Sequence, residues 1–324
     1  MTKYVVSGYI GFDNFGDEVI ARVLVSHLKS LHAEKITLIS SKPLKTSQNY
    51  GVKSVGMLKF FSAIADSDVL ISGGGSLLQD VTSLKSLIYY LVVIVTALLF
   101  KKKVVIFAQG FTPFRTKLGE FLTKTVLKKC HSITVRDVNS KEMLNSWGIM
   151  CKQIADPVFG IEIPNAEKRE GVGIQLRHIP EFNICFLEKL ADIISEQFGD
   201  KKIKLLSLQD ALDLEILQTF SAMLKQRGLE SKIFSNLTTT EIVKEISGLE
   251  YLIGMRFHAL LVSSVARVKT LGLAYDVKVE NLSKQVGFCC IKMQDEDLNE
   301  AFENLIATDS DKYSVPEFKF PGDM

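Results

Sequence analysis

The chain alternates between short β-prone apolar runs and longer stretches of helical periodicity from one end to the other. In the first half the runs are 4–7, 35–39, 69–72, 104–108 and 132–135. Between them lie helical stretches at 19–31, 117–129 and 139–147, and an apolar run at 87–100. In the second half the runs 172–176, 203–207, 231–234, 251–253 and 270–274 alternate with helical stretches at 183–198, 211–227, 239–246 and 295–307. Strands with continuous apolar character separated by helices predict parallel, doubly wound sheets with both faces covered.

The pattern breaks once. Between Asp156 and Gly171 lie Pro157, Pro164 and the charged run Glu167-Lys168-Arg169-Glu170, which reads as a solvated linker. The expected organisation is therefore a Rossmann-like domain at 1–162, a second at 170–305 and a tail at 306–324. Pro316 and Pro321 make that tail an extended arm lying on a domain, or a frayed end. Topology rules put the strand C-termini of two such domains across a cleft from each other.

Composition narrows the class. A hydrophobic fraction of 47% indicates globular cores. A formal net charge of +2, with basic residues dispersed, gives no argument for nucleic acid. The five cysteines form no C-x-x-C pair and no metal spacing. Their odd number, with no secretory leader, suggests a reducing cytoplasm. The run Leu87–Phe100 is almost wholly apolar and is followed by Lys101-Lys102-Lys103. It is shorter than the roughly 20 residues a spanning helix needs. It reads as a buried crossover helix; the alternative is an interfacial patch whose lysines touch anionic lipid.

Chemistry concentrates where strands end. Gly254-Met255-Arg256-Phe257-His258-Ala259-Leu260 joins a strand to a helix, so Arg256 and His258 stand at a helix N-terminus, where an anion is stabilised. Near the N-terminus, Gly8-Tyr9-Ile10-Gly11-Phe12-Asp13-Asn14-Phe15-Gly16-Asp17-Glu18 is again strand, turn and helix. Its glycines do not fit the dinucleotide fingerprint. Asp17 and Glu18 fall in the first helical turn, where they either complement the dipole or serve a ligand. Ser72-Gly73-Gly74-Gly75-Ser76 is a third such turn, able to hold an anion or sugar hydroxyls on free N–H groups. It lacks the lysine of a nucleotide-hydrolysing loop. Gln109-Gly110, Arg136-Asp137 and Arg177 end further strands, and Lys278 follows Tyr275-Asp276.

In combination and order, these segments resemble the polysaccharide pyruvyl transferases, most nearly the CsaB-type enzymes of cell-wall polysaccharide synthesis. The resemblance rests on Gly8 to Glu18, Ser72 to Asp80, Gln109-Gly110, Arg136-Asp137, Asp156-Pro157, Gly254 to Leu260, and Tyr275-Asp276 with Lys278. Two departures stand out: Phe111-Thr112-Pro113 where the family often reads Ile-Gly-Pro, and Val277 where it often has proline.

The resemblance implies a GT-B-like pair of Rossmann-like domains. It implies transfer of pyruvate from phosphoenolpyruvate (PEP) to two hydroxyls of one sugar, giving a ketal. The implied acceptor is an N-acetylmannosamine unit on a lipid-linked intermediate. By matching motifs, Asp17 is the catalytic candidate, and Arg136, His258 and Lys278 hold or activate PEP. The charge PEP carries adds Arg256 to the PEP-binding candidates, and the need for both an acid and a base makes His258 the second catalytic one. Gly11, Asn14, Gly74, Gly75 and Gln109 are the candidates for the acceptor. No metal, no cofactor beyond PEP as donor, and no nucleic acid is expected. The location implied is cytoplasmic, with peripheral contact at the inner face of a membrane. The alternative is a GT-B glycosyltransferase using a nucleotide sugar, which would not release phosphate from PEP.

Overall fold

A computed structural model describes residues 2–81, 83–164, 168–179, 184–293 and 297–322. The chain divides into two compact units. The first comprises Met1–Gly160 with Glu317–Met324, and the second Ile161–Pro316.

In the first unit the strands are β1 (Lys3–Ser7), β2 (Lys35–Ser40), β3 (Lys53–Gly56), β4 (Val69–Gly73), β5 (Lys103–Gln109), β6 (Ser132–Val135) and β7 (Lys152–Gln153). The helices are α1 (Phe15–Ser30), α2 (Pro43–Tyr50), α3 (Phe60–Ala65), α4 (Leu84–Leu99), α5 (Lys117–Leu127) and α6 (Val138–Ser146). All strands are parallel, in the order β3-β2-β1-β4-β5-β6-β7. Strand order reverses between β1 and β4, and a crevice opens beyond the strand ends at such a switch point.

The second unit has β8 (Val172–Gln175), α7 (Ile184–Phe198), β9 (Ile203–Leu206), α8 (Asp210–Gln226), β10 (Ser231–Phe234), α9 (Thr239–Ser247), β11 (Tyr251–Gly254), α10 (Phe257–Val265), β12 (Lys269–Ala274), α11 (Val277–Val286), β13 (Cys289–Lys292) and α12 (Leu298–Ala307). Its parallel sheet runs β10-β9-β8-β11-β12-β13, so its switch point lies between β8 and β11.

Three strands differ from the pattern reading. β3 and β7 carry no continuous apolar run, being short edge strands. β13, also an edge strand, has one in Phe288-Cys289-Cys290-Ile291 that the pattern reading does not take as a strand. The helix expected at 295–307 is seen from Leu298; positions 295 and 296 lie outside the described residues. So do residues 165–167 of the expected linker.

The tail expected at 306–324 divides, and its last described residues form an arm lying on the first unit. Residues up to Pro316 belong with the second unit, and Glu317 onward with the first. The reason is aromatic burial: Phe320 stacks on His27 at 3.5 Å and on Phe107 at 5.7 Å between ring centroids, and Phe318 meets Phe107 edge-on. Gly160 makes room, since a β-carbon there would lie 2.5 Å from the Phe318 ring.

Candidate functional site

In the first unit the chemistry gathers where β1 and β4 diverge. The turn after β1 delivers Asn14 as the N-cap of α1, its Oδ1 accepting from the N–H groups of Gly16 at 3.1 Å and Asp17 at 3.4 Å. This capping fixes the helix start and holds Asp17 in the first turn. Glu18, next to it, turns inward. Its Oε1 accepts from the Gly11 N–H at 2.7 Å, and its Oε2 accepts from the Tyr50 hydroxyl. Gly11 has φ +83°, and a β-carbon there would lie 2.2 Å from Ser40 Oγ. The turn is thus closed tightly against β2, with Glu18 as its internal fastener. Burial pushes the Glu18 carboxyl up, while the Tyr50 and Gly11 hydrogen bonds pull it down.

The turn after β4 packs directly on α1. A β-carbon on Gly74 would lie 2.2 Å from Ile20, and one on Gly75 would lie 2.3 Å from Asp17 Oδ1. Both glycines have positive φ, the region glycine adopts at no steric cost. Backbone bonds extend the arrangement to β5: Gly74 N–H donates to the Phe107 carbonyl and Gly110 N–H to the Gly75 carbonyl, each at 2.8 Å.

At the end of β5, Ala108 has φ +48° and the register with β6 shifts between Ile106 and Gln109. This bulge sends the Gln109 side chain into the interior. Gln109 is fully buried; its Nε2 donates to the Gly110 carbonyl at 3.0 Å, and its Oε1 has no protein partner among the described residues.

Arg136, at the end of β6, completes the group. Its Nη1 donates to Asp156 Oδ2 at 2.9 Å and its Nη2 to Ser76 Oγ at 3.4 Å. Asp156 is buried, and its other oxygen accepts from the Val158 N–H at 3.0 Å. Gly110 lies flush on this guanidinium, where a β-carbon would be 3.1 Å from Nε.

Asp17 therefore sits among protein groups at the switch point. Burial pushes its carboxyl up to about 7; the Arg136 charge opposes the rise, and Glu18 and Asp156 add to it. A carboxyl balanced near neutrality can either give or take a proton at working pH.

The second unit carries an anion-oriented junction at its own switch point. Gln175, fully buried at the end of β8, accepts on Oε1 from the N–H groups of Met255 at 3.2 Å and Arg256 at 2.7 Å. These bonds shape the turn between β11 and α10. Arg256 is the N-cap of α10, and His258 lies in its first turn, its ring edge-on to Phe257 at 5.1 Å.

The Arg256 guanidinium lies along Asp213 of α8: Nε is 3.2 and 3.0 Å from the two carboxylate oxygens, and Nη2 is 2.5 Å from Oδ1. Asp213 is fully buried and accepts further from the Leu208 and Gln209 N–H groups, each at 3.0 Å. Two of the three Arg256 nitrogens are thus already engaged. Arg177 lies over the Tyr275 ring and donates to its hydroxyl at 3.3 Å. Lys278 is exposed at the start of α11, whose N-cap Asp276 accepts from the Lys278 N–H at 3.0 Å.

The structure thus brings Gly11, Asn14, Asp17, Gly74, Gly75, Gln109 and Arg136 together in the first unit, and gathers Arg256, His258 and Lys278 on the β11 and β12 ends of the second. Of the pair Asp17 and Glu18, read together as dipole partners or ligand groups, Glu18 proves to be the internal fastener of the turn. Tyr50, Gln175 and Asp213 are not singled out from the sequence, and Ser76 and Asp156 only as parts of motifs. Asp156-Pro157 was a visible signal; Gln175 and Asp213 had none, because their partners are remote in sequence. Among the described residues no cluster of His, Cys, Asp or Glu could hold a metal ion. No helix among them is long and apolar enough to cross a membrane.

Two parallel-sheet α/β domains, each with polar groups at its switch point, define a GT-B-like fold class. The solved structures agree. A putative UDP-N-acetylglucosamine 2-epimerase from Listeria monocytogenes superimposes with a TM-score of 0.67 at 10% identity, over 98% of this chain and 92% of that one. The UDP-GlcNAc 2-epimerase of Methanocaldococcus jannaschii gives 0.65 at 13% identity, over 98% and 96%. Anabaena Alr3699/HepE, in complex with UDP and glucose, gives 0.61 at 9% identity, over 97% and 92%. At these identities the likeness concerns the fold. No curated protein matches the chain significantly in sequence. The family model for polysaccharide pyruvyl transferase matches residues 14–277, and the chain belongs to that family.

Proposed function

We propose that this transferase moves pyruvate from PEP to two hydroxyls of one sugar in a surface-polysaccharide intermediate, with Asp17 as a proton-transfer group. The observation that carries the reading is the Asp17 carboxyl, raised to about 7 beside the Gly75 turn and the Arg136 guanidinium. The enol of PEP must gain a proton on its methylene carbon, and the sugar must lose one from each attacking hydroxyl. The first hydroxyl adds at C2, phosphate leaves, and the second hydroxyl closes the ketal; one hydroxyl proton balances the methyl group and the other leaves with phosphate. Asp17 takes the base role and His258 the acid or phosphate-contacting role, or the reverse.

PEP carries a phosphate and a carboxylate, which fixed cations recognise. Arg136, held flat by Asp156, offers one; Lys278 and the start of α10 with His258 offer others. Arg256, clasped by Asp213, contributes charge and fixes the turn that presents His258. On the acceptor side, Ile20 and Asp17 pack against Gly74 and Gly75, whose backbone is paired with Phe107 and Gly110. The part of these glycines is to seat the Asp17 carboxylate where a sugar hydroxyl would meet it, with Gly11, Asn14 and Gln109 shaping the surrounding turns. The family supports a polysaccharide acceptor. N-acetylmannosamine on a lipid-linked carrier, handled at the cytoplasmic face of a membrane, rests on the resemblance to CsaB-type enzymes alone.

The test is phosphate release from PEP with and without a synthetic N-acetylmannosamine-containing acceptor. Acceptor-dependent release, abolished in Asp17→Asn, is expected. Turnover of a nucleotide sugar without phosphate release from PEP would replace this reading with glycosyl transfer.

A further inference from the structure

The crossovers β3 to β4, β4 to β5 and β5 to β6 all step in one direction along the sheet. Right-handed connections therefore place α3, α4 and α5 on one side of it, and α4 packs against both neighbours. This layer is unusually apolar on its outside. Among the described residues, eight of the sixteen exposed large hydrophobic side chains lie on it or at its ends, including Phe61, Ile88, Val92, Leu99, Leu118 and Phe121. Half of the exposed large hydrophobics on one layer of three packed helices is more than the single scattered residues that need no explanation.

Helix α4 shows the reason most clearly. Its inner ridge, Leu87, Tyr90, Leu91, Ile94 and Ala97, is buried and supplies the core. Its outer ridge of Ile88, Val92 and Leu99 is exposed, at 41%, 42% and 75%. Folding does not require these to be apolar, since polar side chains on a solvent ridge cost almost nothing. The patch is framed by lysines. Lys59, Lys85, Lys101, Lys117, Lys128 and Lys129 are all exposed on the same elements or at their ends. Of the nearby acids, Asp66 pairs with Lys35, and Glu120, which accepts from the Trp147 indole at 3.1 Å, sets one carboxylate against the six lysines. The frame differs from the Lys101-Lys102-Lys103 run, because Lys102 is tied to the Ala65 carbonyl at 3.1 Å.

We propose that the outer face of α3, α4 and α5 docks on the surface of an anionic lipid bilayer. An apolar ridge ringed by lysines fits the boundary between acyl chains and anionic headgroups. With 16 residues α4 is too short to cross, and lies in the plane instead. A second copy of the chain fits poorly, because face-to-face pairing would bring like-charged lysine rims together. The proposal stands on the first unit's surface and does not depend on pyruvyl transfer.

Flotation of the full chain with vesicles of phosphatidylglycerol and phosphatidylcholine, against phosphatidylcholine alone, tests it. The protein floats with the anionic vesicles only. The doubly substituted Val92→Gln/Phe121→Gln and Lys128→Glu/Lys129→Glu chains each lose about tenfold or more in partitioning, from roughly 1 kcal/mol per basic residue and comparable losses of apolar burial. Thermal melts of both variants match the parent, as all four positions are exposed. Phosphate release with a water-soluble acceptor is unchanged in them, which separates loss of docking from loss of chemistry. Failure to float with anionic vesicles, or equal flotation of parent and variants, overturns the proposal. So does a dimer of the free protein that Val92→Gln/Phe121→Gln dissolves while flotation persists.

Discussion

A β-carbon on Gly75 would stand 2.3 Å from Asp17 Oδ1, so the two residues occupy one space between the turns that follow β1 and β4. Gly75 also has φ +73°, where a side chain is strained whatever the room. Gly75→Ala therefore has to displace the carboxylate or open the turn. Turnover is expected to fall at least about a hundredfold, the scale that misplacement by an ångström produces. Stability falls by about 1–3 kcal/mol. Phosphate-release kinetics and urea unfolding measure the two effects; parent-like kinetics would remove the Gly75 turn from the site.

Asp17 has a folded-state pKa of about 7 against an ordinary value of 3.8. With the folded value raised, its contribution to stability is fully present below the unfolded value and is lost as pH rises through about 7. Asp17→Asn removes that loss. The variant should match the parent near pH 4 and exceed it by roughly 2–4 kcal/mol above pH 8, at about 1.4 kcal/mol per pKa unit. Urea midpoints across pH give the curve; a gap that shrinks with rising pH contradicts the assignment.

The pair Arg136–Asp156 sets the charge around Asp17. Asp156 raises the Asp17 pKa and Arg136 lowers it. Asp156→Asn should therefore move the Asp17-dependent limb of the kcat/KM profile to lower pH, and Arg136→Met should move it to higher pH. Arg136→Met should also raise the KM for PEP by an order of magnitude or more, the loss expected of about 1.5–3 kcal/mol for a charged hydrogen bond. Profiles that do not move in opposite directions would break the link.

Asp213 and Lys278 are predicted to fail differently. Asp213→Ala leaves the largely buried Arg256 without its partner and frees the Leu208 and Gln209 N–H groups. It should cost about 3–5 kcal/mol of stability, the scale for breaking a buried ion pair. Lys278→Ala, at an exposed position, should change stability by less than about 0.5 kcal/mol while weakening PEP binding. Thermal melts beside PEP titrations separate the two.

Much of the fold was legible because its strands are buried on both faces. Runs such as Val104 to Ala108 and Tyr251 to Ile253 contain no polar residue, and each meets its helix through a glycine or charged turn. The candidate site was legible in part for the same reason, since glycines at 11, 74 and 75 and the Arg256-Phe257-His258 junction announce turns that sterics and helix ends demand.

What the sequence determined by itself was local: which segments pair as strand and helix, where turns require glycine, and which ionisable groups stand at strand ends. Tertiary structure decided what those groups meet. Asp156 clasping Arg136, Gln175 shaping the turn at Arg256, and Asp213 seizing its guanidinium are contacts between residues 20, 81 and 43 positions apart. The same holds for the positive φ of Ala108, which no glycine signals, and for Phe320 folding back on Phe107. Hydrophobic periodicity reports which side of an element is buried. It carries no information about which distant side chain lies opposite, because that depends on strand order, and strand order is settled only when the sheets close.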